Sequence, residues 1–505
     1  MNIIKKVVAL LSLSLLVSCS TNPTSGGDPS IPAAGSTDQT GISIYPKHSR
    51  GSGCVGDPMP YYENGKMYVY YLEDARNYGG GGFHPISLLE TTDFTHYEDK
   101  GIMLDFVNDR YDIEFALATG SVIKDKAGLY HFFYGGYNDN TNFTGLPYAQ
   151  TILHATSTDL YHWTKDKTFN TTGYIIGQSN DFRDPYVLYM EDSNEYWMLV
   201  TSREGGVASV LKYVSTDLLN WSKQGSFFKS SRFNNMECSS LIRWNGYWYY
   251  SFSENGNHGY TKFFAKRNLS DSEWIDIPTL DGFFACRPVI GQDNRLFLYG
   301  WCPTKGLYDS VTNDWAGNLS MIELTQQSGS ATLNTILAQE IKTTINHPVY
   351  YTDLLYNEPV KSVSLAKTTT FSGKAINRIK TNKITRMSFE FEVKDNSGRV
   401  GLTFGNTTNN QLGMIAFDFN IQRDQLLFYN ACSNGSFGTV DYFASFPFEV
   451  NTKYHVDVVT EDGVTALYLN NQVSLVMRTM SIKKNNWAFY AQGTSVEFTE
   501  INFYE

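Results

Sequence analysis

Four times in its first 280 residues the chain repeats a variant of one short phrase. It reads T-T-D-F-T-H-Y at 91–97, S-T-D-L-Y-H-W at 157–163, S-T-D-L-L-N-W at 215–221 and a degenerate L-S-D-S-E-W at 269–274. The aspartates, Asp93, Asp159, Asp217 and Asp271, lie 66, 58 and 54 residues apart. Repeats of this length built of short strands are the mark of a β-propeller rather than a sandwich. A polar turn followed by an aromatic side chain suits a tight loop whose ring packs on its own blade.

A second series interleaves with the first and counts the blades. Its copies begin at Asp57, Gly120, Asp184, Glu237 and Arg287, each a polar or small residue, a short strand, a turn and an aromatic strand. Five copies predict five blades. The innermost strands of a propeller ring its axis, so Asp57, Asp184 and Glu237 are expected to converge at one end, with Arg287 on the same rim. The copy at 182–190, F-R-D-P-Y-V-L-Y-M, is the most telling. An acid at the start of a strand that runs into a core needs a reason other than packing.

At 505 residues the chain is too long for one ordinary core. A net charge of -11 argues against nucleic acid as a partner, while 15% aromatic residues favour an all-β chain with stacking surfaces. Lys5 and Lys6 precede an apolar run at 7–17, proportioned like a signal-peptide core. It ends in L-V-S-C, which resembles the lipobox of bacterial lipoproteins and implies acylation of Cys19. The division expected is a leader at 1–19, a Ser/Gly/Pro/Thr-rich tether at 20–44, a propeller at 45–344 and a β-sandwich at 345–505. The S-F-E-F-E-V alternation at 388–393 is the clearest sandwich strand. Cys54, Cys238, Cys286, Cys302 and Cys432 have no metal-ligand spacing and read as small buried hydrophobes, with one unassigned disulfide left open. His84, His131, His154 and His258 read as loop or packing residues. Trp163, Trp221, Trp248 and Trp274 read as blade packing, while Tyr78, in the glycine-rich loop at 77–84, is expected near the pocket mouth.

Three converging carboxylates suit a metal site, a sugar cup or a catalytic centre. Arg183 beside Asp184 opposes a cation, and neither a metal nor a cofactor is expected. Glycosidic cleavage needs one carboxylate as nucleophile and one carboxylic acid as proton donor. F-R-D-P at 182–185, M-E-C at 236–238 and part of G-D-P at 56–58 resemble the glycoside hydrolase family 32 pattern of invertases, levanases and inulinases. T-G-S-V at 119–122, F-F-A at 283–285, Y-G-W at 299–301 and W-A-G-N-L-S at 315–320 follow in the family's order.

The resemblance implies a five-bladed propeller with a C-terminal sandwich and a retaining attack on β-fructofuranosides. By position Asp57 would be the nucleophile, Glu237 the acid/base, and Asp184 the stabiliser that grips fructose hydroxyls with Arg183. Ser121, Cys238, Phe284, Arg287 and Trp315 would line the substrate. The partners expected are an oligo- or polysaccharide and, through Cys19, a cell-envelope membrane, with the protein a monomer. The chain departs from the pattern at Cys54, Gly56, Met59 and Pro60, where the family carries Trp, Asn, Asn and Gly. Gly56 would make room for a linkage or substituent. The alternatives are a glycan-binding lipoprotein without turnover and a propeller glycosidase for another furanoside, such as an arabinofuranoside.

Overall fold

The computed structural model describes residues 41–505 apart from 48–53, 75–83, 173–180, 255–259, 283, 305–313, 378–383, 406–407, 434–435, 481 and 483–485. Cys19, the leader, most of the tether, Tyr78 and His258 lie outside the described residues.

Twenty strands form five antiparallel blades of four. Their first strands are Cys54–Glu63, Ala116–Lys124, Phe182–Met190, Glu237–Trp244 and Phe284–Ile290, all closest to the axis. The third strand of blade 5, Asp314–Gln326, also pairs with the first strand of blade 1 at Val55 and Gly317, which closes the ring. The repeated aspartates sit between the third and fourth strands of blades 1 to 3. Asp93 Oδ1 accepts from the N–H groups of Thr95 and His96 at 2.9 and 2.8 Å, and Asp159 and Asp217 repeat the bonds. Trp163 and Trp221 cap their turns by donating to the carbonyls of Leu160 and Leu218 at 3.1 Å. The repeat is therefore a carboxylate-stitched turn, with the ring laid on its blade.

The first strands share one irregularity. Each carries a single extra residue near its start, a β-bulge that breaks the register with the second strand. At four bulges the residue is left-handed without being glycine: Asp57 at φ 39°, Asp184 at 57°, Cys238 at 51° and Ala285 at 50°. Such a conformation costs an L-residue about 1–2 kcal/mol. Its gathering at one end of the axis marks that end as functional.

The second unit is a sandwich of a seven-stranded and a six-stranded sheet. Strand Thr385–Val393 buries every second residue, as its alternation predicts. Sandwich and propeller share a core, with Val459, Ala466 and Val476 packed in the same cluster as Leu298 and Leu319 of blade 5. Arg478 donates to the Pro303 carbonyl at 2.9 Å. The buried Glu461 accepts from the N–H groups of Ile44 and Tyr45 at 2.8 and 2.7 Å, and burial lifts its carboxyl to about 7. Deleting 345–505 is therefore expected to leave an insoluble propeller. A soluble fragment with a cooperative melt would contradict that buttressing role.

Candidate active site

The bulges turn side chains of successive blades toward the axis. Asp57 is held from both sides: the Trp301 indole donates to Oδ1 at 3.0 Å and the Thr119 hydroxyl to Oδ2 at 2.9 Å. Burial, with the charge of Asp184 and then Glu237 adding to it, outweighs those two bonds and lifts the Asp57 carboxyl to about 6. Asp184 is only 3% exposed. Its Oδ2 accepts from the Cys238 N–H at 2.9 Å and the Thr201 hydroxyl at 3.4 Å. Burial raises its pKa, an effect offset first by the Arg183 charge.

Glu237 enters at a different level. In the register of the bulges its equivalents are Gly56, Arg183 and Phe284, whereas Asp57 and Asp184 match Cys238 and Ala285. The expectation that Asp57, Asp184, Glu237 and Arg287 open equivalent copies is corrected accordingly. One signal could have found this: Asn64-Gly65 and Asn245-Gly246 form matching hairpin turns, and counting back from them aligns Asp57 with Cys238. The offset brings Glu237 beside Arg183. Arg183 Nη2 donates to Glu237 Oε1, and Asn235 Nδ2 adds a bond at 3.2 Å. Nη1 of the same arginine donates to Asp181 at 2.9 Å, and Arg203 Nε meets Asp181 at 2.9 Å. The Glu237 side chain keeps 22% of its surface open, so a leaving group or water can reach it while Asp184 stays enclosed.

Other expected site residues divide. Phe284 stacks on Trp301 at 4.9 Å between centroids, and Trp315 meets Trp301 edge-on at 5.9 Å, so both join the wall beside Asp57. Cys238 contributes its backbone N–H, while its thiol is buried. Ser121 and Arg287 follow the bulges and line a cavity further along the axis, from which Arg287 still donates to the Asp184 carbonyl at 3.5 Å and its charge lowers the pKa of the Asp184 carboxyl. All five described cysteines are buried thiols outside any disulfide. His131 and His154 form a buried stacked pair, as packing residues do. Among the described residues no group of three or more His, Cys, Asp or Glu is arranged to hold a metal ion. Asp181, Asn235 and Arg203 were not legible as site residues, since only the fold brings them to the three acids, whereas Thr119 and Trp301 stood in the matched T-G-S-V and Y-G-W motifs without being assigned to the site.

The room expected at Gly56 is filled. A Cβ there would stand 2.4 Å from Cη2 and 2.7 Å from Cζ2 of Trp315. The indole, backed by the His84 ring at 4.6 Å, thus occupies the space of a side chain at 56. Met59 is buried in the core, and its sulfur accepts the Gly120 N–H. The altered positions around Asp57 therefore replace amide groups by an aromatic wall. Gly56→Ala should displace Trp315 and lower kcat/KM roughly tenfold, mainly through KM. Steady-state kinetics with KM unchanged would contradict the packing role.

Residues 52–333 match the family described as Glycosyl hydrolases family 32 N-terminal domain. Among solved structures, the exo-inulinase of Aspergillus awamori is 15% identical at a TM-score of 0.67, covering 90% of this chain and 98% of that one. The sucrose-6-phosphate hydrolase of Lactobacillus gasseri is 17% identical at 0.66, covering 92% and 93%. Fructan 1-exohydrolase IIa of Cichorium intybus is 14% identical at 0.66, covering 91% and 97%. At these identities the likeness to the solved structures is one of fold: a five-bladed propeller followed by a sandwich.

Proposed function

The chain belongs to glycosyl hydrolase family 32 and is a glycoside hydrolase of the β-fructosidase type, and from that premise we propose how its three acids divide the cleavage of β-fructofuranosidic bonds in fructans or sucrose-type oligosaccharides. The Asp57 carboxylate attacks the anomeric carbon of a fructosyl unit. Glu237 donates its proton to the glycosidic oxygen, the carbon–oxygen bond breaks, and the aglycone leaves as an alcohol. Glu237, now a carboxylate, takes a proton from water, whose oxygen displaces Asp57 and releases fructose. Asp184, with Oδ2 already engaged, offers Oδ1 to a sugar hydroxyl as positive charge develops on the ring. Arg183, expected to grip the sugar, acts chiefly by orienting Glu237.

One observation carries this reading. An acid held by an indole N–H and a hydroxyl stands in a pocket with a second acid that faces the opening and is steered by arginine. Two carboxyl groups in such unlike surroundings suit unlike tasks. Purified protein with sucrose, inulin and levan should release fructose from at least one. Calorimetric binding without release would favour the glycan-binding alternative.

The acidity of Asp57 gives a pH prediction. The nucleophile must be ionised, and its carboxyl lies at about 6. Activity should fall as the pH drops through that value, giving kcat/KM an acid limb near 6. A limb near 4 would show that Asp57 is not so buried in solution.

We also infer, from the lipobox-like ending at Cys19, an exported enzyme anchored by lipid to the cell envelope. Cys19→Ala should shift the protein from the membrane to the soluble fraction. Unchanged fractionation would refute the anchor.

A further inference from the structure

Glu254 ends the second strand of blade 4, Tyr247–Glu254, and is a buried carboxyl near the three acids that the mechanism does not use. Glu237 pairs with Ser253 across this hairpin, so Glu254 stands one residue past the partner of the acid/base. Its Oε1 accepts from the Asn234 N–H at 3.0 Å. Its Oε2 is enclosed and has no hydrogen-bond partner among the described residues. Burial raises its pKa, the Asn234 N–H opposes that rise, and the charge of Glu237 adds to it. A buried carboxyl with one oxygen unmatched and a like charge nearby costs stability, so packing alone does not call for an acid there.

What Glu254 holds is the connection at 231–236, between the strand Ser222–Ser230 and the strand that opens at Glu237. Asn234 is gripped at both ends, its N–H by Glu254 and its carbonyl by Arg203 Nη2. Asn235, next in the chain and buried, passes that hold on to the acid/base. Its Oδ1 accepts from the Met236 N–H at 2.9 Å, which orients the amide, and its Nδ2 donates to Glu237 Oε1 at 3.2 Å. Arg183 reaches the same oxygen from blade 3. Glu237 is thus steered from two blades, and on the blade 4 side the chain of contacts starts at Glu254.

We infer that Glu254 is a positioning residue for the acid/base: it fixes Asn234 and Asn235 so that the Asn235 amide, with Arg183, holds Glu237 in place for proton transfer. The inference rests on the acid/base role of Glu237. A carboxylate accepts from a backbone N–H more strongly than an amide does, which gives glutamate its advantage at 254.

Kinetics of the purified enzyme test it. Glu254→Ala should lower kcat on sucrose or inulin by about 10–10²-fold, the scale of loss that a small misplacement of a catalytic group brings, with KM little changed. A fructoside with an acidic aryl aglycone needs no proton from Glu237, so its first-turnover release of aryl alcohol should stay within about threefold of the native rate. In a Glu237→Gln background Glu254→Ala should add no further loss, since it acts through that carboxyl. Glu254→Gln keeps the acceptor and should recover most of the activity. Glu254→Asp draws the acceptor back by one methylene and keeps the test decisive if the alanine variant does not fold: it should show a smaller loss with the same dependence on the leaving group. Equal losses on both substrates, a full further loss in the Glu237→Gln background, a glutamine variant as slow as the alanine one, or no loss with alanine or aspartate would overturn the positioning role. If Glu237→Gln alone loses equally on both substrates, the acid/base role itself fails and the positioning role falls with it.

Discussion

Asp57→Asn is expected to abolish fructose release, lowering kcat on the order of 10⁴-fold or more, as loss of a covalent nucleophile does. The amide keeps the shape and still meets Trp301 and Thr119, so the protein should fold. It should also melt higher than the native enzyme at neutral pH. The Asp57 carboxyl is raised from 3.8 to about 6 in the folded protein. Folding therefore favours its protonated form, and ionisation opposes folding increasingly as the pH climbs from 4 to 6. Asparagine removes that opposition, so the gain should be full above pH 6 and vanish below pH 4. Calorimetric melts across that range check it, and a variant less stable at pH 7 would contradict the buried, mutually repelled carboxylate.

Glu237→Gln should cost about 10²–10⁴-fold in kcat on sucrose or inulin, the usual worth of a positioned acid/base. The loss should depend on the leaving group. A fructoside with an acidic aryl aglycone needs no protonation, so its fructosyl transfer to Asp57 should stay fast while hydrolysis of the intermediate becomes slow. A burst of aryl alcohol followed by slow turnover is the expected trace, and azide should speed the second phase by replacing the activated water. Equal losses on both substrates, without a burst, would assign Glu237 to binding.

Much of this architecture was open to reading in the chain. The turn aspartates recur because a carboxylate stitching two backbone N–H groups is a local device, visible wherever S-T-D stands before an aromatic ring. Five strand openings gave five blades, and F-R-D-P marked an acid that packing alone would not place there. The level of each residue on the axis was hidden, because a single-residue bulge shifts everything beyond it and leaves no fixed letter behind. Thus Glu237 proved to be the counterpart of Arg183 rather than of Asp184, and Ser121 and Arg287 fell below the sugar pocket. The filling of the Gly56 space was equally hidden, since Trp315 arrives from a strand more than 250 residues away.

Trapping the fructosyl-enzyme puts the assignment of Asp57 to the test. Glu237→Gln protein mixed with an aryl β-fructofuranoside, quenched in acid, digested and sequenced by mass spectrometry should carry one fructosyl unit on the peptide containing Asp57. A fructosyl unit on any other residue, or none despite a measured burst, would contradict it.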